Sequence, residues 1–312
     1  MPEYIQHKDL DKAQWDKCIS RAFNGIVYAY SWFLDTVSPG WDALVENDYE
    51  RVFPLTWKKK YGVYYLHQPF FTQQLGIFSM SILTPDIVRR FLEGIPEKFR
   101  LTEINLNTLN KVEPNGFEVE KQINHELDLI KSYPVLKKNY STNTRRNLKK
   151  AEASGLTVMK NQRPEDVIRL FRENRGRDLS HLHDEDYLRL TRLIYAGIHR
   201  GLISIYGAFS ERNELCAAAV FLTSNRKSVF LFSGLSGEGR DKRAMFLLVD
   251  RFIRDHAQKH LVFDFDGSND PNLSRFYKGF GSTECHYYKI RRNTLPFMVN
   301  LAWKLKQRKR DE

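Results

Sequence analysis

The stretch from residue 202 to residue 265 constrains the fold of this chain most. Three apolar segments at 202–209, 215–223 and 228–233 have strand lengths and are separated by polar breaks. A run at 241–259 follows, in which Met245, Leu248, Val249 and Phe252 fall at i, i+3, i+4 and i+7 on one helical face. It leads directly into another strand at 261–265. A sheet with an amphipathic helix returning onto it is the economical way to bury these faces together.

The rest of the chain extends that pattern. Helices are expected at 11–22, 28–37 and 85–92, and strands at 41–46, 51–57, 62–67, 75–78, 101–107 and 117–127. Pro134 marks a seam, since proline disfavours continuation of what precedes it. Beyond it a basic helix is expected at 136–154, closed by Gly155, then a strand at 156–160 and helices at 164–175 and 185–199. Both halves end in helix, strand and strand, consistent with an old duplication. The expected class is α/β (α+β), with mixed central sheets flanked by helices. The divisions are a first domain at 1–134, a second at 135–293 and a basic amphipathic helix at 294–312.

Charge separates the same halves. The net charge is +11, but residues 1–134 carry 15 Lys and Arg against 18 Asp and Glu, while residues 135–312 carry 34 against 20. A one-sided positive field draws polyanions: phosphates, nucleotides, tRNA or an anionic membrane. No apolar run reaches the roughly 20 residues that span a bilayer, and the first residues lack the basic-then-apolar pattern of a signal peptide. The expected location is the cytoplasm. The helix at 294–312, with Met298, Leu301, Ala302 and Leu305 on one face among five basic residues, adds contact with the inner membrane surface or packing against the body. Cys18, Cys216 and Cys285 have neither disulfide nor zinc spacing and read as free thiols. The cluster His181, His183, Asp184, Glu185 and Asp186 lies in a charged connection and reads as a solvated loop, so no metal is expected.

In open α/β sheets ligands bind beyond the carboxyl ends of the strands. That position is held by Asp264-Phe265-Asp266-Gly267-Ser268. Residues two apart on a strand share a face, so Asp264 and Asp266 are expected in one cleft, with mutual repulsion raising one pKa toward that of a proton acceptor. Phe276-Tyr277-Lys278-Gly279-Phe280-Gly281 follows, interleaving aromatics, a cation and glycines before the last strand. Here the chain resembles the FemA/FemB/FemX family within the GNAT N-acyltransferase superfamily. That family has Asp-Phe-x-Gly and then Phe-Lys-x-Gly-Phe-Gly, its Lys stabilising a tetrahedral intermediate. Other GNAT enzymes place a Tyr there, which protonates the departing thiolate. This chain has Tyr277 at the ungapped Fem Lys position and Lys278 one residue later, so the acid stays open between them.

A second match is residues 140–156, similar to the Arg-rich helix that opens the second Fem domain. Arg145, Arg146, Lys149 and Lys150 lie on one face of it, suited to grip phosphate. Gly237-Glu238-Gly239-Arg240-Asp241-Lys242-Arg243 occupies the place where GNAT enzymes hold the coenzyme A pyrophosphate at a helix N-terminus. The usual small residues are missing, so Arg240, Lys242 and Arg243 are expected to meet an anion by charge; Ser268 joins this binding set. In the first half, Gln73-Gln74-Leu75-Gly76 matches only the start of that pattern. The resemblance implies two tandem GNAT-like domains and amide-bond formation. The donor would be polyanionic, acyl-coenzyme A or aminoacyl-tRNA, the acceptor would carry an amine and belong to the cell-envelope precursors, and no cofactor beyond the donor would be needed. The alternative is a non-catalytic basic protein that keeps the fold and binds RNA or a membrane surface.

Overall fold

A computed structural model describes residues 1–113, 116–174, 176, 182–267, 269–296 and 299–300. The first half runs β1 (Glu3–Ile5), α1 (Lys12–Arg21), α2 (Ser31–Val37), β2 (Asp42–Glu46), β3 (Arg51–Leu55), β4 (Trp57–Lys60), β5 (Val63–Leu66), β6 (Phe78–Ser79), α3 (Pro85–Glu93), β7 (Phe99–Asn105) and β8 (Glu118–Asp128). The second half continues α4 (Tyr133–Lys138), α5 (Thr142–Glu152), β9 (Thr157–Lys160), α6 (Pro164–Glu173), α7 (Asp184–His199), β10 (Ile203–Phe209), β11 (Leu215–Ser224) and β12 (Lys227–Leu235). It closes with α8 (Gly237–Asp241), α9 (Ala244–His256), β13 (Val262–Asp264), α10 (Pro271–Lys278) and β14 (Thr283–Asn293). Ser268 and most of the basic C-terminal segment, including 301–312, lie outside the described residues, as does His181.

The strand expected at 51–57 is split at Thr56 into β3 and β4, which belong to different sheets, and three other expected elements differ for a local reason. The helix expected at 136–154 is two: Ser141 caps α5 by accepting from the Thr144 N–H, and its own N–H donates to the Gly279 carbonyl, which turns the chain away from α4. The helix expected from 241 begins at Ala244 because Arg243 takes a left-handed conformation (φ 60°) and separates α8 from α9. At 75–78 only Phe78 joins a strand; Leu75 makes a single bridge to Leu106, and Gly76 turns at φ 97°.

A small antiparallel sheet has the order β1-β2-β3-β6. The large sheet has ten strands in the order β4-β5-β7-β14-β8-β13-β12-β11-β10-β9. Strands from both halves alternate at its centre: β14, last in the chain, lies between β7 and β8, and β8 pairs in turn with β13. The first half therefore supplies the immediate neighbour of the turn that follows β13.

Two features open the sheet beside that turn. Strands β12 and β13 run parallel and pair over three positions, Lys227 with Val262, Ser228 with Phe263 and Val229 with Asp264, after which β13 ends and β12 continues to Leu235. Opposite β11, Phe230 and Phe232 pair with the consecutive residues Phe221 and Val220, which leaves Leu231 as a bulge. A bulge bends its strand and strengthens the local twist, so β12 diverges from β13 at the point where the site begins.

Packing fixes the closed end. Phe221 stacks on Phe252 of α9 at 4.0 Å and 16°, and on Phe230 at 5.4 Å and 21°, while Phe252 and Phe230 both approach Phe263. Phe221, Phe252 and Phe263 are fully buried. Of the apolar face foreseen for α9, Leu248, Val249 and Phe252 are buried, while Met245 is only partly so. Phe221→Ala removes a ring from the centre of the cluster and is expected to cost about 3–5 kcal/mol in urea unfolding; a loss under about 1 kcal/mol would show that the cluster does not set the stability of the sheet.

Candidate active site

Strand β13 delivers Asp264 into the protein interior, and Asp266 sits in the turn that follows it. Asp264 is 1% exposed. Its Oδ1 accepts from Asn124 Nδ2 at 3.0 Å and from the Asp266 N–H at 2.9 Å, and its Oδ2 accepts from Lys227 Nζ at 3.2 Å. Lys227 also bonds Glu126. Burial alone would lower the lysine pKa, but the charges of Asp264 and Glu126 outweigh it and push the pKa up. Asn124 completes the knot by accepting from the Gly267 N–H at 2.7 Å. A side chain at 267 would meet the Asn124 Cα at 2.4 Å, so glycine is required there by close approach of two backbones.

The alternation that would place Asp264 and Asp266 on one strand face does not hold, because β13 ends at Asp264 and Asp266 sits in a left-handed turn at φ 54°. The two carboxylates divide their tasks instead. Asp264 is a buried structural acceptor. Asp266, partly buried, accepts from the Tyr28 hydroxyl at 2.7 Å, and its pKa is raised to about 7 by burial first and by the Asp264 charge second, against the opposing bond from Tyr28. Its charge acts on three phenols: Tyr28, Tyr277 and Tyr287 all have raised pKa values, with burial the larger cause and Asp266 the next. A carboxylate poised near neutrality beside neutral phenols can take a proton while a phenol gives one.

Tyr277 and Lys278 part company around α10. Tyr277 is buried and packs on Phe265 at 5.0 Å, and it lines a cavity of about 450 Å³ between β12, α8, the start of α9 and α10. Lys278 points to the other side of the helix, pairs with Glu284 at 2.6 Å and lines a separate open groove with Ser141, Thr142 and Arg275.

The proposed binding residues also divide. Arg240 and Arg243 line the cavity of Tyr277 and are exposed at its rim, whereas Lys242 pairs with Glu238 at 2.8 Å. Arg145, Arg146, Lys149 and Lys150 are all exposed on α5 and line neither the cavity nor the groove. His183 caps α7 in a reciprocal bond with Asp186, and Asp184 and Glu185 pair with Arg172 and Arg189.

The residues that sequence reasoning missed come from far along the chain. Tyr28 lies in a short turn, Val27–Ala29, 238 positions from Asp266; Asn124 and Glu126 lie on β8; Lys227 opens β12. Gln73 reaches the Gly267 carbonyl at 3.3 Å, so the weak glutamine motif of the first half does touch the turn, by its side chain. Fully buried His125 bonds Ser274 at 2.9 Å and packs 6.0 Å from the Tyr277 ring. None of these carries a local signal, since each is an ordinary strand or turn residue until the sheet is assembled.

Two outcomes follow from this geometry. Tyr28→Phe removes a hydrogen bond to the charged form of Asp266, so the Asp266 pKa should move up by about one unit, read by carboxylate NMR titration; an unmoved pKa would show that the bond does not tune it. For stability, the raised pKa of Asp266 favours the fold at low pH and loses that contribution as pH rises from about 4 through about 7. Asp266→Asn should therefore be most stabilising, relative to the parent, above pH 7, measured by urea unfolding across pH; a pH-independent difference contradicts the assignment.

Residues 138–278 match the Acetyltransferase (GNAT) domain family, and this segment contains α5, β12, α9, β13 and α10. Comparison with curated protein sequences returns no match. Among solved structures the chain is similar to FemX, with a TM-score of 0.64 and 14% identity over 92% of this chain and 96% of that one. It is also similar to the C-terminal domain of a protein described as a lysylphosphatidylglycerol synthetase from Agrobacterium fabrum, with a TM-score of 0.57 and 10% identity over 94% and 95% of the two chains. A Bacteroides thetaiotaomicron protein of unknown function gives a TM-score of 0.57 and 11% identity over 93% and 99%. At these identities the structures establish the fold they share. Residues 138–278 are thus similar to a GNAT acetyltransferase domain, and the chain as a whole shares the fold of FemX.

Proposed function

We propose that this protein forms amide bonds by transferring an acyl or aminoacyl group from an anionic carrier to an amine. The observation that carries the reading is that Tyr277, a buried phenol in the wall of the cavity, lies within the field of Asp266, a carboxylate with its pKa raised to about 7. The carrier's phosphates meet Arg240 and Arg243 at the rim, and its reactive carbonyl reaches Tyr277.

The acceptor amine, in its neutral form, attacks the carbonyl carbon. The C–N bond forms and the proton leaving nitrogen passes to Asp266. As the tetrahedral intermediate collapses, the bond from carbonyl carbon to the leaving sulfur or oxygen breaks, and the leaving atom takes the Tyr277 proton. Asp266 and Tyr277 return to their starting forms by net transfer of one proton from the carboxylic acid to the phenolate. Lys278 is committed to Glu284 on the other side of α10, which favours Tyr277 as the acid. Asp264, Asn124 and Lys227 hold the turn while the reaction proceeds.

On this reading the acceptor approaches from the side of Tyr28 and Gln73, and the resemblance to the Fem family suggests a cell-envelope precursor. The four exposed cations of α5 remain available to an anionic membrane or to a long polyanionic donor. No helix among the described residues is long and apolar enough to cross a membrane.

The reaction is tested by amide formation from acyl thioesters and aminoacyl esters with a panel of amines. Asp266→Asn is expected to lower turnover by about 10²–10⁴ and to remove the rise of rate through about pH 7, and Tyr277→Phe to lower it by about 10² with little change in donor binding. Turnover at the parental level in the double variant would refute the mechanism.

A further inference from the structure

The walls of the cavity specify the donor more narrowly than its position does. Phe230 and Leu235 of β12 face Met245 and Phe246 of α9 and Leu273 and Phe276 of α10 across about 450 Å³. Phe246 and Phe276 meet edge to face at 4.8 Å, giving that side a rigid aromatic surface. Met245 is partly exposed and Leu273 is 44% exposed, so apolar surface continues to the lip. The charged residues of the lining are Arg240 and Arg243, both cationic; no carboxylate lies among the described lining residues.

These walls discriminate between donors. An aminoacyl group brings an ammonium into a largely apolar cavity whose lining carries two guanidiniums and no carboxylate, Asp266 lying outside that lining, and leaving a charge unpaired in such surroundings is costly. An acetyl group brings one methyl and leaves most of the aromatic wall in contact with water. An unsubstituted alkyl chain covers it. Burial of each added methylene is worth about 0.8 kcal/mol, or about fourfold in affinity.

Resting on the acyl-transfer reading above, we infer that the donor is an apolar acyl chain of about six carbons or more, without a free amine, carried on a phosphate-bearing thioester. The carrier's anion sits at Arg240 and Arg243, and the chain lies against Phe230, Phe246 and Phe276.

The test is equilibrium binding of acetyl-, butyryl-, hexanoyl- and octanoyl-coenzyme A by calorimetry, with propionyl- and alanyl-coenzyme A as a matched pair differing by one ammonium. Affinity should rise at least about tenfold from acetyl to octanoyl, less than the full methylene increment because the cavity is open to solvent, and propionyl should bind at least about tenfold more tightly than alanyl. Met245→Trp, which fills the cavity, should cut the octanoyl-to-acetyl ratio several-fold, with its thermal unfolding followed alongside to establish that the variant is folded. Equal affinities along the series, tighter binding of alanyl than of propionyl, or no binding of octanoyl-coenzyme A would each overturn the inference. Chain-length-dependent binding without amide formation on any amine would refute the proposed reaction and leave the cavity assignment standing. Amide formation indifferent to chain length would do the reverse.

Discussion

The structure depends on a buried knot around the Asp264 carboxylate. Lys227 from β12, Asn124 from β8 and the backbone of the following turn all converge on it, and Lys227 in turn binds Glu126. Charged groups leave water at a cost, and an ion pair broken from one side typically costs about 3–5 kcal/mol because its partner is left buried and uncompensated. The knot therefore fixes three strands to one another at the place where β12 and β13 stop pairing. It also sets the electrostatics of the site, since the Asp264 charge is one of the two causes that raise the Asp266 pKa to about 7. One carboxylate is held by a cation, and its charge holds the pKa of its neighbour up.

The opening beside the knot follows from strand geometry. A three-residue parallel pairing, a bulge at Leu231 and the end of β13 at Asp264 leave the far half of β12 free on one side. The Phe221–Phe252–Phe263 cluster holds the paired half closed, while Phe230 belongs to both regions, packing on Phe221 and lining the cavity. Core and cleft are thus two ends of one aromatic stack, and a substitution at Phe230 would act on stability and on binding together.

The interleaving of strands ties the halves of the chain into one site. Strand β14 lies between β7 and β8, and β8 carries Asn124 and His125 to the turn after β13. Tyr28 and Gln73, also from the first half, close on the same turn. The second half contains Asp266, Tyr277 and the cavity, but the groups that orient and tune Asp266 come largely from the first.

The sequence by itself determined what local patterns encode. The apolar period of α9, the strand candidates around it, the Asp-Phe-Asp-Gly turn and the Phe-Tyr-Lys-Gly stretch were all legible, because each rests on side chains close together in the chain. So was the excess of positive charge in the second half. Only the tertiary structure decided how these pieces divide the work. Asp264 and Asp266 looked equivalent by strand alternation until the left-handed turn separated them; Tyr277 and Lys278, adjacent in sequence, face opposite sides of α10; and Arg240 and Arg243 reach the cavity while the four cations of α5 do not. The partners that tune Asp266 were invisible because Tyr28 is 238 positions away. Burial and field, which make one carboxylate a strut and raise the pKa of the other, are properties of the assembled sheet and of no segment of the chain.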